Sequence, residues 1–99
     1  MGKYIPENIL LIKSHREEKN FMKTFPIKLS TIEDVRNFVN VLSKYTIDLD
    51  LRSGRYTVDA RSLMGIFSLD LLKPIEFIIQ SDDEKTADAV SEDVKQWKV

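Results

Sequence analysis

The chain contains no cysteine, so neither a disulfide framework nor thiolate chemistry can figure in what it does. Its one histidine, His15, is too little for an imidazole-based transition-metal site. Glycine and proline number three each, which excludes a collagen-like or low-complexity chain. Those few glycines form no phosphate-cradling loop, and no nucleophile elbow or zinc spacing is present. No catalytic centre, metal or cofactor is therefore expected. Charge of one sign is also missing: 15 basic and 16 acidic side chains leave a net charge of -1. Without a broad positive field, neither nucleic acid nor a membrane surface is an expected partner. The longest aliphatic run, Ile9 to Ile12, falls far short of the roughly 20 residues that span a bilayer, and no signal-peptide core occurs. A cytoplasmic protein is the economical expectation.

What is present suits one folded unit. The 99 residues are 42% hydrophobic, enough for one modest core. Residues 1–21 read as an N-terminal extension to a domain at 22–99. In the extension Ile5, Ile9 and Ile12 fit one helical face after Pro6, and an unstructured tail fits equally. Met22 opens a pattern that looks complete without what precedes it, so translation beginning there is a further expectation.

Phe25, Ile27 and Leu29 alternate with polar or proline positions, the period of a strand with one buried face. Pro26 cannot donate to a ladder and predicts an edge strand. Ser30 and Thr31 ahead of Glu33 and Asp34 form a capping-box pattern, and Val35, Phe38, Val39 and Leu42 continue it as a helix of roughly 14 residues. Ile47, Leu49 and Leu51, then Tyr56, Val58 and Ala60, alternate on either side of Ser53-Gly54 and predict a hairpin. Ser62 to Leu69 reads as a short helix capped by Ser62. Pro74 breaks the chain before Ile75 to Ile79, a run suited to a central strand. Asp82, Asp83 and Glu84 place negative charge at the start of a last helix, whose Val90, Val94 and Trp97 form an inward stripe. Helix-start electrostatics accounts for those acids better than a bound ion does. Asp48 and Asp50 alternate with core positions and read as the wet face of the sheet. The order β-α-β-β-α-β-α predicts an α+β fold, an open-faced sandwich of a four-stranded antiparallel sheet with three helices on one face.

Ser43-Lys44-Tyr45, the hairpin after it and above all Ala60-Arg61-Ser62-Leu63-Met64-Gly65-Ile66-Phe67-Ser68-Leu69 resemble the histidine-containing phosphocarrier protein (HPr) family of the bacterial sugar phosphotransferase system. The resemblance runs on through Lys73-Pro74-Ile75-Glu76-Phe77-Ile78-Ile79 and covers residues 23 to 97. It implies that family's open-faced sandwich. The family carries its phosphoryl group on the histidine of a Gly-x-His-Ala-Arg-Pro loop at the start of the first helix. Counting back from Ser43, this chain has Leu29-Ser30-Thr31-Ile32-Glu33-Asp34 there, with Thr31 at the place of the histidine and Glu33 at that of the arginine. An imidazole passes phosphate on as a reactive phosphoramidate, and a threonine ester is a far poorer donor. A carboxylate in place of a guanidinium turns attraction into repulsion, roughly 4 kcal/mol for unit charges about 4 Å apart at an effective dielectric of 20. His15 lacks the glycine and proline context of the family loop and reads as uninvolved.

The resemblance implies more for Ser62. In the family the matching serine is a regulatory phosphorylation site served by a dedicated kinase and phosphorylase, and the motif around it is intact here. Its plainer reading is a helix cap. Leu63, Met64 and Phe67 match an exposed apolar docking patch of the family, against the alternative that they are core. Ile66 and Leu69 are expected in the core in either case, and Gly65 suggests close backbone approach. The expected function is that of a regulatory, protein-binding HPr-like domain, similar to the catabolite-repression HPr-like proteins and switched at Ser62. Its implied partners are the HPr kinase/phosphorylase and a catabolite-control transcription regulator. The alternatives are a phosphocarrier with a non-standard acceptor and a structural or oligomerisation module; both monomer and homodimer fit.

Overall fold

A computed structural model of the chain describes residues 21–99. The proposed helical face at Ile5, Ile9 and Ile12 lies outside the described residues, as does His15. In chain order the elements are β1 (Phe21–Ile27), α1 (Ile32–Leu42), β2 (Asp48–Ser53), β3 (Tyr56–Asp59), α2 (Leu63–Phe67), β4 (Ile75–Ser81) and α3 (Glu84–Asp93), followed by a 3-10 turn at Lys95–Trp97. Phe21, the first described residue, is paired with Ser81 of β4.

The strands form one sheet in the order β1-β4-β2-β3, and every neighbouring pair is antiparallel. Alternation decides which face is covered. Ile75, Phe77, Ile79 and Ser81 of β4 are buried, and so are Leu49 and Leu51 of β2, while the residues between them are less covered. The helices supply the other half of this core through Val35, Phe38 and Leu42 of α1, Ile66 of α2, and Ala87 and Val90 of α3. The ring of Phe38 meets Phe77 at 5.3 Å and Trp97 at 5.5 Å between centroids, both edge-on, the arrangement that aromatic quadrupoles favour.

β1 is an edge strand, as Pro26 predicts, and β4 is central. The outer side of β1 is partly closed by the C-terminal residues: the amide of Lys28 donates to the Trp97 carbonyl (2.8 Å), and the amide of Val99 to that of Pro26 (3.3 Å). β1 ends at Ile27, earlier than the alternation through Leu29 implies, although Leu29 is buried. Helix α1 has 11 residues rather than about 14. It stops where the Ser43 hydroxyl donates to the Asn40 carbonyl (2.7 Å), a local bond that competes with further helical turns. In β3 the inward row fades toward the hairpin turn: Ala60 is fully buried, Val58 partly, and Tyr56 is 70% exposed. Tyr56 pairs with Ser53 beside the turn, beyond the cover of α2.

The face away from the helices carries Asp48, Asp50 and Arg52 of β2, Thr57 and Asp59 of β3, and Glu76 of β4. Arg52 and Glu76 are opposed in the register and joined at 2.6 Å. Asp50 stands opposite Asp59, an unfavourable like-charge pair. Burial first, then Asp59 and Asp48, hold the Asp50 carboxyl above its ordinary range, with Arg61 opposing them. No helix among the described residues is long and apolar enough to cross a membrane.

Candidate functional site: two helix starts and an apolar ridge

Helix α1 begins at Thr31, whose extended backbone turns the chain out of β1. The Thr31 hydroxyl accepts from the Asp34 amide (2.9 Å), and the Asp34 carboxylate accepts from the amides of Ser30 (3.0 Å) and Thr31 (3.2 Å). The capping box expected from the sequence is therefore closed, with Thr31 as the cap and Asp34 as its partner. Chemically this matters, because an incoming anion would seek those same amides and the positive end of the helix dipole. A carboxylate already holds them, and Glu33 adds a second negative charge in the same turn. Beside them Ile32 is 64% exposed.

Helix α2 begins differently. The Ser62 hydroxyl caps it by accepting from the Gly65 amide (3.1 Å), and its first turn holds no acidic side chain. Gly65 is there for room: a β-carbon on it would lie 3.1 Å from Ser62 Oγ and 3.1 Å from Val58 Cβ. The glycine thus lets α2 settle against β3 and keeps the cap in place. Ile66 and Leu69 point into the core, whereas Leu63 (39%), Met64 (79%) and Phe67 (43%) are exposed. A helix of 5 residues offers one inward side, and the remaining apolar side chains face out.

Strand directions fix how the two starts relate. From the antiparallel pairings, β1 and β2 run one way and β4 and β3 the other. Thr31 follows the end of β1 that lies beside Ile75, while Ser62 follows the end of β3, where the Ala60 amide donates to the Leu49 carbonyl (2.8 Å). The helix starts therefore sit at opposite ends of the sheet. Helix α1 runs between them, and along it lies a groove of about 580 Å³ lined by Glu33, Arg36, Asn37, Val39, Asn40, Ser43 and, from α2, Leu63.

The sequence reading gave no individual role to Arg61, which braces the α2 end. Its guanidinium donates to the carbonyls of Tyr45 (2.6 Å) and Ile47 (2.8 Å) and, through Nε, to Asp59 (3.3 Å). Tyr45 in turn donates to Asp93 of α3 (2.5 Å). Burial and that carboxylate push the Tyr45 hydroxyl up to about 12, and the same bond, aided by Lys44, holds Asp93 below its ordinary range. Nothing in sequence spacing marks the bonds from Arg61 to Tyr45 and Ile47 or from Tyr45 to Asp93, since they join residues far apart along the chain. Asp83 proves to be the cap of α3, accepting from the Lys85 amide (3.2 Å) and the Thr86 hydroxyl (2.8 Å).

No family model and no curated protein matches this sequence. Solved structures do match. HPr-C-His from Thermoanaerobacter tengcongensis aligns with a TM-score of 0.58 over 76% of this chain and 91% of its own. The fold is that of HPr. A phosphocarrier protein HPr from Bacillus anthracis agrees, with a TM-score of 0.56 over 75% of this chain and 95% of its own. Both are 23% identical to the chain, so the likeness to HPr is one of architecture. It bears out the open-faced α+β sandwich that the motifs of residues 23 to 97 imply.

Proposed function

We propose that this is an HPr-like domain that acts by binding other proteins, with Ser62 as its phosphorylation switch and Leu63, Met64 and Phe67 as its contact surface. The observation that carries the reading is the contrast between the two helix starts. At Thr31 two carboxylates crowd the first turn, and that of Asp34 already accepts from the amides of Ser30 and Thr31. At Ser62 the first turn is free of acid, and exposed apolar side chains follow at once. A phosphate on Ser62 would meet the positive end of a helix. On Thr31 it would meet Asp34 and Glu33.

The absence of a histidine from residues 21–99 argues against relay through the family's helix-start imidazole. The printed name of the B. anthracis neighbour, a phosphocarrier protein, supports a second reading, transfer through an unusual acceptor. On the first reading the partners are an HPr kinase/phosphorylase and a catabolite-control transcription regulator. Two incubations separate the readings. With HPr kinase and ATP, one phosphate is expected on Ser62 by mass spectrometry and none on Ser62→Ala; no label, with an active HPr control, removes the switch. With phosphorylated enzyme I no label is expected, and label mapped to any residue restores the carrier.

A further inference from the structure

The face of the sheet away from the helices has no layer over it among the described residues, and its composition is uneven. The register sets its side chains in rows. Met22, Gln80 and Asp48 share the row nearest the start of β1, and Ile78, Asp50 and Asp59 share the next. In the row after that, Arg52 and Glu76 neutralise one another at 2.6 Å. The first two rows have no such balance. Asp59 is paired with Arg61 (3.3 Å), whereas Asp48 and Asp50 enter none of the ion pairs among the described residues. Ile78 stands on the central strand, half-buried with no helix above it, and Met22 is 58% exposed. A wet antiparallel face accounts for polar side chains. It gives no reason for uncompensated acids gathered beside bare aliphatic ones.

Where the chain enters the sheet supplies a reason. Phe21 is paired with Ser81, one step before the Met22 row, so residues 1–20 lead into the sheet at the same end as Asp48. The stretch Ile9-Leu10-Leu11-Ile12-Lys13-Ser14-His15-Arg16 sets four aliphatic residues before two cations and contains no acid. Its charge is opposite to that of the bare corner. The reach suffices. Asp48 lies two strands from Met22, about 10 Å at about 4.8 Å per strand, and the five residues from Arg16 to Phe21 span up to about 17 Å when extended. The other face is already taken at this end, where α3 packs against β1 and its Asp88 holds Lys23 (3.0 Å). We propose that residues 9–16 fold back across the open face of the sheet, with Arg16 against Asp48, Lys13 against the opposed pair Asp50 and Asp59, and the run Ile9 to Ile12 over Ile78 and Met22. The occupant belongs to the same chain, and the helix face that bears Ser62 stays clear of it.

The absence of cysteine makes the test direct. A nitroxide attached to Ser14→Cys in the full chain is the one label, and paramagnetic broadening of backbone amide signals reads what lies beside it. The amides of Asp48, Asp50, Ile78 and Gln80 are expected to lose most of their intensity, while those of Asn37 and Asn40 on the outer side of α1 keep theirs. The reversal K13E/R16E should restore the sheet signals, and D48K/D50K added to it should broaden them again. Asp48→Asn, a milder change, should restore them in part, with circular dichroism showing that each variant is folded. Slight broadening spread evenly over the domain, or broadening centred on α1, would overturn the proposal. So would broadening that vanishes when labelled protein is diluted into an excess of unlabelled chain, because the face would then belong to a second copy. Broadening that survives K13E/R16E and Asp48→Asn alike would refute the charge pairing on which the placement stands.

Discussion

At the scale of single residues, the molecule depends on small groups whose value lies in what they leave space for. Gly65 is the clearest. In an exposed helix an alanine there would gain about 1 kcal/mol from propensity, yet its methyl would stand 3.1 Å from Val58 Cβ and from Ser62 Oγ. Val58 Cβ is anchored to the β3 backbone and gives little. Gly65→Ala is therefore expected to lower stability by about 1 kcal/mol net, the overpacking cost exceeding the propensity gain. Urea denaturation checks the sign, and a stabilised variant would show that α2 can lift from β3. Gly65 was legible as a position of close approach, because a glycine in an apolar helical segment needs a reason. Which atoms it approaches was not, since Val58 belongs to another element. Ser62 and Thr31 were legible as caps because capping is local chemistry within three or four residues. The bonds of Arg61 to Tyr45 and Ile47 and of Tyr45 to Asp93 were illegible for the converse reason: they cross 14 to 48 positions of sequence.

At the scale of elements, periodicity located every strand and helix but misplaced some of their ends: β1 stops at Ile27 although Leu29 is buried, and α3 stops at Asp93 although Val94 and Trp97 are buried. The stripe of α1 was read correctly, but its end was set by the Ser43–Asn40 bond rather than by hydrophobic pattern. Tyr56 continues the alternation of β3 yet lies exposed beyond α2, because alternation says which way a side chain points and not whether anything waits there. The β2–β3 hairpin also carries a liability on its uncovered face, the opposed pair Asp50 and Asp59. Asp50→Asn is expected to stabilise the protein by about 0.5 kcal/mol at pH 7, the scale of a cross-strand pair. The pH dependence has a definite sign. The carboxyl of Asp50 is raised in the folded state, so the folded protein takes up its proton first. The contribution of Asp50 therefore becomes less unfavourable as pH falls from that raised value toward the ordinary 3.8, and the advantage of the variant over the wild type shrinks across that window. Denaturation at pH 7 and at pH 3 measures both, and an advantage that grows on acidification would contradict the account.

For the molecule as a whole, one core is shared by all elements, and its last piece comes from the C-terminus. Trp97 is 6% exposed, packs edge-on against Phe38, and its carbonyl ties the strand exit at Lys28. Trp97→Ala is expected to cost about 3 to 5 kcal/mol, as for other large aromatic truncations. Chemical unfolding followed by circular dichroism tests this, and a loss below about 1 kcal/mol would mean that the closing turn is dispensable. Set against this shared core is the separation of Thr31 from Ser62 by the length of α1, 11 residues or about 16 Å at 1.5 Å per residue. A phosphate ion or a monosaccharide is too short to bridge that distance, so any single binder that senses both positions must extend along α1, and its footprint will reveal itself as a stripe from pole to pole.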